Sequence, residues 1–199
     1  MLFRKFKLDN IGRVYMYSGL STFFGSINFA LGTSNILKVI NAPMATALIG
    51  NYLLKDVIGQ TVGGVYSYFN SHKIDKSPKQ KLIESLLLES TSIICDVVTP
   101  ICPNYLAITS SSSILKNVSY VYFSSLNAKA VTSITKNENI AEVYSKLNII
   151  NSISSATGMC VGIYLIQYIH SLPILLFIMG TSHIAKCIAY YTSVKHIIV

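Results

Sequence analysis

Ionisable residues lie near the middle of four segments that are otherwise poor in charge, and they are Lys55, Asp56, Glu89, Lys116 and His183. For His183 we favour a hydrogen bond to a neighbouring helix over a proton relay. Asp96 joins the others through its spacing from Glu89, and Lys55, Asp56, Glu89, Asp96 and Lys116 form the predicted polar core. A lone charge in hydrocarbon costs at least about 2.5 kcal/mol, so we expect these side chains to face inward and to neutralise one another. Such a group could bind a small polar molecule or relay ions, or it could be a structural layer of ion pairs that fixes helix register. The residues leave both interpretations open.

Helical spacing places these charges on polar stripes. One stripe recurs every four residues and consists of Asn51, Lys55, Gly59, Gly63 and Ser67. A second stripe recurs every three or four residues and consists of Ser85, Glu89, Ser92, Asp96 and Thr99. Residues at such spacings share one side of a helix. Gly59 and Gly63 permit close approach of another helix, so we assign them to packing rather than to ligand binding.

Other residue types give no catalytic or metal-binding pattern. The run from Ser110 to Ser113 lies inside a predicted helix and is not a nucleophile elbow. The four histidines and four cysteines have no metal-ligand spacing. We therefore predict a protein that is not an enzyme and binds no metal.

The composition indicates a membrane protein. The chain has 199 residues, of which 51% are hydrophobic and 12% are charged. A soluble domain carries about 25% charged residues, so this chain lacks the charge to cover a core in water. The net charge of +8 is spread in short patches between uncharged runs, which is typical of membrane topology. A nucleic-acid-binding protein needs one contiguous basic face, so we expect a lipid bilayer and no nucleic acid as partner.

The long segments predict six membrane-spanning helices. Val14 to Leu37 contains no charged residue, and about 20 apolar residues cross a bilayer. Prolines mark the expected turns at Pro43, at Pro100 with Pro103, and at Pro173. The predicted fold is an all-α, multi-pass transmembrane bundle of about six spans arranged as three hairpins. The expected spans are 14–37, 43–69, 82–100, 104–128 and two spans after residue 147, divided at 171–173.

The loops predict the orientation of this bundle. A basic segment, residues 1–13, precedes a membrane-embedded domain, residues 14–199. This segment, loops 71–81 and 129–146, and the tail with Lys195 fall on one side, as the positive-inside rule expects. Ser77-Pro78-Lys79-Gln80 predicts a helix start with a capping box. The sequence predicts an integral membrane location and leaves the organelle open.

Short motifs recur in a characteristic order between residues 45 and 195. They are Ala45-Thr46-Ala47, Leu54-Lys55-Asp56-x-x-Gly59-x-x-x-Gly63, Asp75-x-x-x-Lys79-Gln80, Thr99-Pro100-Ile101-Cys102-Pro103, Lys116, Asn139-Ile140-Ala141-Glu142-Val143-x-x-Lys146, Gly158-x-x-x-Gly162 and Tyr191-x-x-Val194-Lys195. In order and spacing they are similar to the root UVB sensitive family. Acidic residues that the family pattern would place near Leu86 and Ser90 are missing, so the chain resembles a reduced or diverged member.

The resemblance implies a membrane-associated protein of small-metabolite homeostasis, linked to vitamin B6. It implies pyridoxal phosphate as a candidate ligand, without fixing a cofactor, and pairing with another family member or with itself. If the protein binds a phosphorylated anion, Lys55 and Lys116 would be the attracting charges. The resemblance adds Asn139, Glu142 and Lys146 as a loop motif at the membrane surface.

Two alternatives of other classes stay open. One is a small-solute transporter built from three hairpin repeats, like the mitochondrial carriers. None of the five prolines is followed by the P-x-[DE]-x-x-[KR] signature of those carriers, so we rank it lower. The other is a non-catalytic membrane scaffold whose polar layer serves packing alone.

Overall fold

Six α-helices make up the described part of the chain. The structure is a computed structural model that describes residues 10–39, 45–135, 140–169 and 171–198. The helices are α1 (Asn10–Val39), α2 (Ala45–Lys76), α3 (Pro78–Val98), α4 (Tyr105–Ile134), α5 (Ile140–Ile166) and α6 (Leu172–Ile198), with a short 3₁₀ turn at Thr99–Ile101. No strand occurs in these residues, and the all-α prediction is confirmed. Most of the predicted basic segment 1–13, and Pro43, lie outside the described residues.

The start of α3 follows its proline signal but not its predicted cap. Pro78 occupies the first turn, where its missing N–H costs nothing. The Ser77 side chain makes no capping hydrogen bond, and the Gln80 amide instead donates to the Glu84 carboxylate at 3.0 Å. The predicted capping box is therefore wrong. The loop predicted at 71–81 is also helical except at Ser77, because α2 continues to the end of that stretch.

Neighbouring helices in the sequence run in opposite directions. In α1 and α5, Ser18 lies beside Asn151 and Ser26 beside Ser155, so these two helices are parallel. Hydrogen bonds between residue pairs show in the same way that α3 is antiparallel to α4 and to α6. We use the term basic side for the side where α1, α3 and α5 begin, and opposite side for the side where they end.

The helices pack as two groups of three. In one group α1 lies between α5 and α6, and in the other α4 lies between α2 and α3. The groups meet where α1 and α6 contact α3 and α4. Of the three predicted hairpins, α3–α4 is extensively packed. Among the described residues, α1 does not pack on α2 and α5 does not pack on α6, so the arrangement as three hairpins is not confirmed.

Two of the helices are long and apolar enough to cross a membrane. Within the described residues these are Ile140–Ile166 and Leu172–Lys195. By length and composition alone, two such helices give weak support for membrane association, and the six-span prediction is not confirmed. The reason lies in α1 to α4, where serine, threonine, asparagine, glycine and charged residues lower the mean hydropathy.

Candidate functional site

A cavity of about 340 Å³ lies among α1, α2, α3 and α4, and we name it cavity 1. Its wall contains all five residues of the predicted polar core, which are Lys55, Asp56, Glu89, Asp96 and Lys116. The side chains therefore converge on one space, as the cost of isolated charges led us to expect.

Asp96 is the most buried charge of cavity 1, with 1% of its surface exposed. Its carboxylate accepts hydrogen bonds from Lys116 and from the Ser112 hydroxyl, the latter at 2.5 Å. Ser112 and Lys116 lie one turn apart on α4, so both reach the same carboxylate. Gly32 of α1 leaves the necessary room, because a Cβ at that position would lie 2.7 Å from Asp96 Oδ2.

Glu89 pairs with a residue that the sequence analysis did not select. Its carboxylate accepts a hydrogen bond from Lys186 of α6, which also lines cavity 1. The expected last span, 174–192, has its middle at His183. Because α6 extends to Ile198, its centre lies nearer Lys186. Sequence spacing could have identified Lys186, because it follows His183 by three residues and lies on the same side of the helix.

His183 itself contacts α3 rather than the cavity. Its Nε2 atom lies 2.7 Å from the Ser90 hydroxyl, a hydrogen bond that joins α6 to α3. The ring is buried and does not line cavity 1. The contact therefore fits the interpretation of a packing histidine, which the sequence also favoured over a proton relay.

Lys55 reaches cavity 1 from α2. Only 8% of its surface is exposed, and its Nζ atom lies 3.6 Å from the Asp56 carboxylate. Gly59 and Gly63 follow on the same side of α2, where this helix packs against α4. A Cβ at Gly59 would overlap the Ser113 side chain, so only glycine allows this approach. The close approach brings Lys55 within reach of the cavity.

The charges around cavity 1 balance. Its described wall carries three lysines and three carboxylates, and each lysine has a carboxylate within ion-pair distance. The pairs are Lys55–Asp56, Lys116–Asp96 and Lys186–Glu89. A phosphate group with a charge of about −2 would therefore meet no net positive charge. The residues present do not fit the phosphate of pyridoxal phosphate, contrary to the role expected of Lys55 and Lys116.

Two buried groups in the wall of cavity 1 have no hydrogen-bond partner in the described part of the chain. Asn28 is 5% exposed, and neither its amide nitrogen nor its amide oxygen is bonded. One carboxylate oxygen of Glu89, Oε2, is also buried and has no hydrogen-bond partner in these residues. A buried polar group without a partner costs about 1–3 kcal/mol. A ligand that donates to these oxygens and accepts from the Asn28 amide would recover that cost.

The predicted surface motif lies apart from cavity 1. Asn139 lies outside the described residues. Glu142 and Lys146 form an exposed ion pair of 2.6 Å in the first turns of α5, on the basic side. Neither side chain lines cavity 1.

A family model described as a vitamin B6 photo-protection and homoeostasis domain matches residues 13–199. The matched region contains every residue that lines cavity 1. No curated protein and no solved structure matches the chain.

Proposed function

Because the chain belongs to the root UVB sensitive family, whose domain is linked to vitamin B6 homeostasis, we propose that it is a multi-pass membrane protein that binds a small polar metabolite in cavity 1. One observation carries the proposal: six charged side chains from four helices line a single cavity that also contains an unpartnered buried amide. The proposed role is binding without catalysis. Pairing with a second family member or a second copy, and the lack of a nucleic-acid partner, stay predictions.

The outer surface supports the proposed membrane location. A strongly apolar helix in the core of a soluble protein is mostly buried, whereas 11% of the apolar stretch of α5 and 28% of that of α6 are buried. Large apolar side chains on these helices are more than half exposed, among them Ile153, Ile163, Phe177 and Ile188. Contiguous exposed apolar surface favours contact with lipid. We propose that all six helices cross the bilayer, with the charges of α2, α3, α4 and α6 facing one another.

The charge balance defines the class of ligand. A neutral cavity favours an uncharged or zwitterionic molecule over a phosphate ester, because a multiply charged ligand loses hydration that no net charge replaces. Hydroxyl groups or a pyridinium N–H would donate to Glu89 Oε2, and the oxygen of a hydroxyl group on the ring would accept from Asn28. The volume of about 340 Å³ is at the small end of ligand pockets. We propose an unphosphorylated pyridine alcohol of the vitamin B6 group.

Binding to the purified full chain in detergent tests this proposal, with pyridoxine and pyridoxal phosphate as probes. We expect pyridoxine to raise the melting temperature and pyridoxal phosphate to have a weaker effect. Glu89→Gln and Asn28→Ala should each weaken pyridoxine binding by about tenfold, which corresponds to about 1.4 kcal/mol. Glu142→Gln is the matched control, because Glu142 is exposed and lies outside cavity 1.

Three outcomes would contradict the proposal. If neither probe binds, cavity 1 is not a vitamin B6 site. If pyridoxal phosphate binds as tightly as pyridoxine, the argument from charge balance is wrong. If Asn28→Ala and Glu89→Gln bind pyridoxine like the wild type, the ligand occupies another place.

The alternative of a carrier with three hairpin repeats receives no support from the packing. Such a repeat needs each hairpin to be a unit, and α1 with α2, and α5 with α6, make no direct packing contact in the described residues.

A further inference from the structure

The six helices divide into two units of opposite orientation. The first unit is α2, α3 and α4, and the second is α5, α6 and α1. In the first, α4 packs parallel to α2 and antiparallel to α3. In the second, α1 packs parallel to α5 and antiparallel to α6. The counterparts are α2 and α5, α3 and α6, and α4 and α1. The two helices of each such pair run in opposite directions.

Matching glycine pairs support this equivalence. Gly59-x-x-x-Gly63 of α2 packs on α4 beside Ser113, and Gly158-x-x-x-Gly162 of α5 packs on α1 beside Ser26. In both units a Cβ on the first glycine would overlap atoms of the facing helix. The two interfaces therefore use the same device for close approach, at equivalent places.

The antiparallel partners, α3 and α6, also share a sequence. Thr91-Ser92-Ile93-Ile94 of α3 corresponds to Thr181-Ser182-His183-Ile184 of α6. The Ser92 carbonyl accepts a hydrogen bond from α4 at 3.1 Å, and the Ser182 hydroxyl donates one to α1 at 3.1 Å. The same turn of each helix thus contacts the equivalent neighbour. The two units are related by an approximate two-fold axis perpendicular to the helices.

The symmetry relates cavity 1 to a second cavity. Cavity 2, of about 350 Å³, lies among α1, α4, α5 and α6. Exchange of equivalent helices converts α1, α2, α3 and α4, which supply most of the wall of cavity 1, into these four, while Lys186 of α6 completes that wall. Cavity 1 contacts α1 between Gly25 and Ile36, and cavity 2 contacts it between Ser18 and Phe29. Cavity 1 is therefore nearer the opposite side, and cavity 2 is nearer the basic side.

The two cavities adjoin near the middle of the helices. They share Gly25, Phe29, Tyr120, Phe123 and Lys186 in their walls. The Lys186 ammonium lies 5.0 Å from the centre of the Phe123 ring and pairs with Glu89. Three aromatic side chains and one ion pair thus lie where the cavities adjoin, and we name them the partition. Polar groups line both of them, including Asn28 in cavity 1 and Asn127 in cavity 2.

We infer that the two cavities are the halves of a pathway for a small polar solute across the membrane, opened in turn as the two units move against each other. Inverted three-helix units around a central site are the architecture of many secondary transporters, in which exchange of the two conformations interconverts the two openings. The partition would then be the barrier that blocks passage in either conformation. The inference rests on the proposed membrane location and is independent of the identity of the ligand.

Sidedness of access tests the pathway without any ligand. Single cysteines are introduced by Thr33→Cys in cavity 1 and by Asn148→Cys in cavity 2, in a full chain whose native cysteines are replaced by serine. The protein is reconstituted in sealed phosphatidylcholine vesicles in a known orientation, and a membrane-impermeant thiosulfonate reagent is added to one side. We expect the two positions to react from opposite sides. Reaction of both from the same side would overturn the inference.

Removal of one partition ring tests the barrier. In the Asn148→Cys reporter, reagent added on the opposite side has to pass the partition to reach the cysteine. We expect Phe29→Ala to raise the rate of this labelling by about tenfold or more. Phe29 is 47% exposed, so its truncation spares the packed core. Phe177→Ala is the matched control, because Phe177 is 72% exposed on α6 and lines neither cavity. Equal rates in both variants would overturn the inference.

Attachment of a bulky maleimide to the Asn148→Cys position tests the alternating motion. With cavity 2 held open, we expect the Thr33→Cys position to react more slowly from the opposite side, and an unchanged rate would overturn the alternating part. Loss of pyridoxine binding in the same preparation would contradict the proposed function without changing these rates. Conversely, intact pyridoxine binding with same-side labelling would overturn only the pathway.

Discussion

The Asp96 carboxylate and the Lys116 ammonium form an ion pair between α3 and α4 in which the acid is almost completely buried, while about a third of the lysine side chain is exposed. Ser112 supplies a second hydrogen bond to the same carboxylate. Burial of a charge is tolerated only when its partners are well placed. These two bonds therefore fix the register of α4 on α3 and position the charged wall of cavity 1.

Removal of either member of this pair should destabilise the protein. We expect Asp96→Asn and Lys116→Met each to lower the free energy of unfolding by roughly 2–3 kcal/mol, somewhat below the usual cost of breaking a buried pair because Lys116 is partly exposed. The double variant Asp96→Leu with Lys116→Met should recover most of the loss. Unfolding in mixed micelles measures all three. Additive losses in the double variant would contradict the pairing.

Alanine at Gly59 and at Gly64 should have effects of opposite sign. A Cβ at Gly59 would overlap α4, whereas a Cβ at Gly64 would meet nothing within 4 Å. Gly64→Ala should therefore stabilise α2 by about 0.5–1 kcal/mol through helix propensity, and Gly59→Ala should lower the melting temperature by separating α2 from α4. Both positions lie on one helix, so each variant controls for the other. A similar loss in both would show that α2 does not approach α4 as described.

Replacement of Asn28 by leucine should separate stability from binding. The Asn28 amide is buried without a hydrogen-bond partner in the described residues, so Asn28→Leu should raise the melting temperature of the ligand-free protein. The same variant should lose the stabilisation that pyridoxine gives. A lower melting temperature without ligand would indicate that the amide has a structural partner, and the argument for its role in binding would be lost.

The start of α3 and the start of α4 should lie on opposite sides of the membrane. Lys79 at the start of α3 and Asn104 just before α4 are both exposed. In sealed vesicles, an impermeant maleimide should label Lys79→Cys and Asn104→Cys from opposite sides. Labelling from one side alone would mean that α3 does not cross the bilayer, and the number of spans would fall below six.

The sequence predicted the residues of cavity 1 better than it predicted their partners. The cost of a lone charge in lipid is general, so Lys55, Glu89 and Asp96 could be assigned to a common interior without knowledge of the fold. Lys186 was missed because the expected span ended several residues before Ile198, which moved its apparent centre away from this lysine. Small errors in helix ends thus change which residue lies at the middle.

The presence of helices and several of their boundaries were predictable from local signals, but which helices pack together was not. Helices begin or end near Pro78, Pro100 and Pro173 as expected, because the effect of a proline acts within one turn. The contact of α1 with α5 joins Ser26 to Ser155, which are 129 residues apart. Such packing depends on the shapes of two distant surfaces, which the local hydrophobic pattern does not encode. The arrangement as three hairpins is for that reason not confirmed.

The position of α1 has a consequence for biosynthesis. Ser18 lies beside Asn151, so the ribosome adds 133 residues between the first helix and its later neighbour. At ordinary rates of translation this interval is on the order of ten seconds. During that time the serine- and glycine-rich face of α1 has no partner from its own unit, and lipid or the insertion machinery has to shield it. Assembly of this unit is completed only when the later helices α5 and α6 reach α1.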